Sequence, residues 1–78
     1  MIAKRTRLIV AFHTTAAAMA MESACARLGA PGRLIPVPRA ITAGCGMCWA
    51  APPEDGETVR DAAREAGVEV AGWYVAEI

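Results

Sequence analysis

Cys45 and Cys48 stand either side of Gly46-Met47, and few other side chains in the 78-residue chain are reactive. A thiolate is both a nucleophile and a metal ligand. The Cys45-Gly46-Met47-Cys48 stretch therefore has four readings: a metal clip, a redox couple, a carrier thiol, or two small soft residues around a tight turn. A structural zinc site needs four ligands, and the only further candidates are His13 and Cys25. Two copies pooling their cysteine pairs could still make a four-thiolate site. Thioredoxin-type chemistry places its first cysteine at a helix N-terminus, whereas Cys48-Trp49-Ala50-Ala51 reads as extended. Gly46 suits the first central position of a type II′ hairpin turn, which requires positive φ. On that reading Cys45 and Cys48 face each other with Cα atoms roughly 5.5 Å apart, within disulfide range.

The elements around the pair give it a setting. Leu8 to Phe12 is apolar, with β-branched and aromatic residues, and predicts a buried strand. Thr14 or Thr15 caps a helix running to Leu28, where Ala18, Met21, Cys25 and Leu28 recur at helical spacing and Gly29 ends it. Arg33 to Pro38 is a second extended segment that its prolines restrict to an edge or an irregular strand. Cys48 to Pro52 is a short third strand. Pro52-Pro53-Glu54-Asp55 opens a second helix whose buried face is Val59, Ala62, Ala63 and Ala66, and Gly67 closes it. The stretch from Val68 is the last strand. The order βαββαβ predicts an α+β sandwich of ferredoxin-like type, with two helices on one face of a four-stranded antiparallel sheet.

This connectivity puts the cysteine loop at the same end of the sheet as His13, Thr14, Thr15 and the first helix's N-terminus. Free N–H groups there stabilise a thiolate or other anion, and Arg39 at the approach to the loop can add a full positive charge. Cys25 reads as a core residue, and Trp49, Trp73 and Tyr74 as packing residues. His13 can tune thiol protonation or simply face solvent. The glycines of Thr42-Ala43-Gly44-Cys45-Gly46 lack the Lys-Ser/Thr continuation of a phosphate loop. No carboxylate pair or Ser/His/Asp set suggests hydrolysis.

Composition bounds the rest. The length suits one domain. Hydrophobic residues make up 55%, aromatics 5%, and mean hydropathy is +0.32, as expected of a compact fold filled by aliphatic side chains. Eight basic residues balance eight acidic ones, which argues against nucleic acid as a partner and leaves little charge to keep copies apart, so a homodimer is expected. The N-terminal apolar run is interrupted at His13, which argues against a cleaved leader, and no segment is long enough to span a bilayer. Three cysteines, an odd number, suit a reducing cytoplasm.

Taken together, Leu8 to Glu22, Leu34 to Gly46, Ala51-Pro52-Pro53-Glu54-Asp55 and Gly67 to Tyr74 resemble the selenium/sulfur carrier protein-like family of small bacterial domains. The most specific part is Pro38-Arg39 through Thr42 to Cys45-Gly46, supported by Thr14, Thr15, Ala18 and Glu22. The resemblance implies a cytoplasmic protein of selenium or sulfur trafficking in which Cys45 bears the transferred atom as a persulfide or selenopersulfide. On this reading the protein is a carrier rather than a turnover enzyme, and its only cofactor is the covalently held sulfur or selenium. Its donor is an enzyme such as a cysteine desulfurase or selenocysteine lyase, and it hands its cargo to an acceptor protein. Cys48 then displaces the cargo or shares it, while Arg39, Thr42, Gly44, Gly46, His13, Thr14 and Thr15 surround it. The alternative from the residues alone is a dimeric metal-binding or redox-sensing regulatory domain using the Cys45/Cys48 pair. An interaction module without thiol chemistry is the third.

Overall fold

The computed structural model describes residues 5–39, 41 and 46–77. Its elements run β1 (Thr6–Phe12), α1 (Thr15–Leu28), β2 (Arg33–Pro36), β3 (Met47–Ala51), a 3₁₀ turn (Pro53–Asp55), α2 (Gly56–Ala66) and β4 (Val70–Glu77). The four strands form one antiparallel sheet in the order β2-β3-β1-β4. This is the α+β, ferredoxin-like arrangement expected from the βαββαβ pattern.

Local chemistry sets the helix ends. Thr14 is extended, and its Oγ1 accepts from the Ala17 amide at 3.1 Å, satisfying one of the donors a helix start leaves unpaired. Gly29 and Gly67 end α1 and α2 in the left-handed region, a backbone conformation that residues with a side chain rarely adopt. The second helix begins later than Pro52-Pro53 suggests: those residues lead into the 3₁₀ turn, and α-helical bonding starts at Gly56. Leu28 departs from the sequence reading in being 46% exposed, because the inward stripe of α1 is Ala18, Met21, Ala24 and Cys25 and the helix ends beyond it.

The sheet buries both faces. Leu8, Val10, Phe12 and Trp49 pack against Ala18, Met21, Cys25, Val59 and Ala62 from the two helices. Strand alternation turns Ile9, Ala11, Cys48 and Ala50 to the other face. Among the described residues that face carries no helix, yet Ile9, Ala11 and Cys48 are 0% exposed. Ile41 and Val37, from the connection between β2 and β3, join this second core.

Candidate functional site

Cys48 is the second residue of β3, opposite Ile35 of β2 and Ala11 of β1. Its neighbour Ala11 is the penultimate residue of β1, so Cys48 lies at the same end of the sheet as His13 and Thr14, in line with the connectivity argument. The faces differ, however. Cys48 belongs to the core beneath Ile41, whereas α1 packs on the opposite side of the sheet. The partial positive charge of the α1 N-terminus is thus separated from Cys48 by the sheet itself.

The type II′ turn expected at Gly46-Met47 does not form. Met47 and Cys48 are strand residues paired with Pro36 and Ile35, and the hairpin closes with the Val37 amide donating to the Gly46 carbonyl at 3.0 Å. Gly46 does have positive φ, +76°, but it delivers the chain into β3 instead of sitting inside a two-residue turn. Cys48 is therefore paired with Ile35 across the β2–β3 ladder. The reason is register: pairing Pro36 with Met47 keeps Trp49 on the helix side, where its indole donates to the Pro31 carbonyl at 3.2 Å.

Ahead of Gly46, the Ile41 amide donates to the Pro38 carbonyl at 3.0 Å, closing a turn that presents Arg39 to solvent and drives Ile41 inward. Ile41 is 6% exposed. It is a site residue that sequence reasoning did not single out, and its signal is plain afterwards: it is the one large aliphatic side chain among the small and polar residues of Arg39 to Gly46. Thr42, Gly44 and Cys45 lie outside the described residues.

His13, Thr14 and Thr15 occur together on the helix side, all exposed. His13 and Thr14 line a depression of about 380 Å³ walled by Ala16, Ala17 and Ala20 of α1 and by Gly67, Val68 and Glu69. His13 Nε2 is 3.5 Å from a carboxylate oxygen of Glu69, a partner with no sequence signature because the contact spans most of the chain. Cys25 lies in the helix-side core at 1% exposure, where burial pushes its thiol up to about 11. Such a thiol is a poor nucleophile near neutral pH. Cys25 and Cys48 thus occupy separate cores on opposite faces of the sheet. Among the described residues no three His, Cys, Asp or Glu side chains converge as metal ligands would. No helix there is long and apolar enough to cross a membrane.

No curated protein and no solved structure matches the chain. A family model does: the match spans residues 7–75, from the first strand through the last, and its description is "putative Se/S carrier protein-like". With that match covering the whole βαββαβ framework, including the Cys45-Gly46-Met47-Cys48 stretch, the protein belongs to the Se/S carrier protein-like family.

Proposed function

We propose that the protein carries sulfur or selenium on Cys45 and passes it to an acceptor protein in the cytoplasm. The observation that supports this reading most directly, beside family membership, is the enclosure of the other two thiols. Cys25 is 1% and Cys48 0% exposed, each inside a packed core. A donor enzyme cannot bring its own cysteine against either sulfur without opening a core, so Cys45 is the thiol left for loading.

Loading is a thiol exchange. The Cys45 thiolate attacks the outer sulfur or selenium of a donor-bound persulfide or selenopersulfide. A bond forms from Cys45 Sγ to that atom, the donor's bond to it breaks, and the donor cysteine leaves as a thiolate, with no net oxidation. A donor such as a cysteine desulfurase or selenocysteine lyase fits this step. Unloading follows either of two routes: an acceptor thiolate takes the outer atom and Cys45 leaves as thiolate, or Cys48 attacks Cys45 Sγ. The second route requires the packing over Cys48 to open first; it then expels hydrosulfide or hydroselenide and leaves a Cys45–Cys48 disulfide, which a cellular dithiol must reduce. Along the chain, Gly46, with φ +76°, directly follows Cys45, and the exposed Arg39, Thr42 and Gly44 precede it. His13, Thr14 and Thr15 belong to the same end of the sheet and serve the docking of donor or acceptor.

The test is intact mass spectrometry of the protein before and after incubation with a persulfide-forming donor and with a selenium donor, with Cys45→Ser alongside. A reductant-labile sulfur- or selenium-mass adduct present in the wild type and lost in Cys45→Ser is the expected result. Unchanged loading in Cys45→Ser overturns the assignment, and a metal-mass adduct in place of a sulfur one moves the function to the metal-binding reading.

A further inference from the structure

The sheet has two edges, and they are built differently. The β2 edge is only four residues long, ends at Pro36 and is followed by Val37-Pro38, so proline denies an incoming strand its backbone donors. The β4 edge is eight residues long, Val70 to Glu77, with no proline, lysine or arginine in it. Among the described residues β4 pairs with β1 alone, leaving its outer row of N–H and C=O groups without a strand. Two of the large exposed hydrophobic side chains sit there, Tyr74 at 39% and Val75 at 65% exposure.

We propose that β4 pairs with β4 of a second copy, antiparallel about a two-fold axis through Tyr74, to make one continuous eight-stranded sheet. The axis position follows from the side chains. Opposed residues in an antiparallel pair must share a face, so the axis passes through a residue position. With Tyr74 on the axis it meets its own counterpart on the open face, and each Val75 lies opposite Trp73 of the other copy on the helix face. These are aromatic–aromatic and β-branched–aromatic pairs, the kinds that stabilise strand pairing. Val75 shares the helix face with Trp73, because their β1 partners are Leu8 and Val10, both in the helix-side core. The charges permit the arrangement. Glu77 is the only charged residue of the strand, and it falls opposite Ala71 of the other copy. The two Glu77 carboxylates end up roughly 20 Å apart, so no like charges are apposed. The chain's formal net charge of +0 adds no long-range repulsion. A self-pairing strand is thus the occupant whose side chains and charges match this edge, and two-fold closure leaves only the proline-protected β2 edges outside.

The experiment is sedimentation equilibrium of the full chain under reducing conditions, with Val75→Lys as the edge variant. Val75 is largely exposed in one copy, so the variant keeps the protomer folded, checked by circular dichroism, and weakens dimerisation on the order of a hundredfold through the two valines lost from the interface. Tyr74→Cys in a Cys45→Ser background gives the geometry: an interchain disulfide forms readily on mild oxidation, whereas Val75→Cys in the same background crosslinks poorly because its partner position is Trp73. A monomeric wild type at high protein concentration overturns the proposal. So does a dimer that Val75→Lys leaves intact, or one in which Tyr74→Cys fails to crosslink.

Discussion

Ile41→Ala isolates the role of the connection between β2 and β3. Ile41 is 6% exposed and packs with Ile9, Ala11, Cys48 and Ala50 on the sheet face opposite the two helices. Truncating a buried isoleucine costs about 2–5 kcal/mol. A connection can relax more than a strand can, so the lower end applies, about 2 kcal/mol. The contact is lost both when the connection lifts and when the chain unfolds, so local opening and global unfolding each rise by roughly thirtyfold, and urea unfolding should report the same loss of about 2 kcal/mol. Alkylation of the native protein, quantified peptide by peptide, is expected to be faster at Cys48 than at Cys25 in the wild type, because lifting a connection costs less than opening the helix-side core, and to speed up at Cys48 by roughly thirtyfold in the variant. No acceleration at Cys48 would mean that Ile41 does not guard it. Equal wild-type rates at the two cysteines would mean that both react only through global unfolding. Either result refutes the picture of a segment laid over a second core.

Gly32→Ala should destabilise the fold by roughly 2–4 kcal/mol in urea unfolding, because φ is +125° and an added Cβ would strike the Trp49 indole and approach the Ala50 carbonyl oxygen at 2.5 Å. Gly46→Ala, with φ +76° but open space around the added Cβ, should cost only about 1 kcal/mol, and equal losses at the two positions would undo the steric argument. Burial raises the Cys25 thiol from 9.0 to about 11, so the unfolded chain ionises first as pH rises. Its contribution is fully present below pH 9 and is lost on going to about 11, by at most roughly 3 kcal/mol. Stability measured against pH for the wild type and Cys25→Ala should therefore converge across that window, and parallel profiles would contradict the assignment.

Much of this molecule is legible in one dimension. The α1 boundaries follow from Thr14 and Gly29, and the α2 end from Gly67, because capping is an interaction within a few residues. The strands are readable because alternation and β-branching are local too. The burial of Cys25 follows from its place on the same helical stripe as Ala18 and Met21. The expected turn at Gly46-Met47 fails for an equally physical reason. A glycine with positive φ is compatible with several connections, and only pairing with β2 decides that Met47 already belongs to the strand. The His13–Glu69 contact and the inward turn of Ile41 were invisible because neither partner choice leaves a periodic trace.

By itself, then, the sequence determines the element order, the ferredoxin-like sheet that this order permits, the family, and the concentration of chemistry around Cys45-Gly46-Met47-Cys48. Only the tertiary structure decides which side of the sheet Cys25 and Cys48 occupy. A shift of one residue in the pairing of β3 would turn Cys48 toward the helices and Trp49 away from them. That register is set by the packing of Trp49, Val10 and Phe12 against α1 and α2, contacts between residues far apart in the chain. Sheet register in turn places Cys48 in the core with Ile41, so the enclosure of this thiol rests on long-range packing that no short motif encodes.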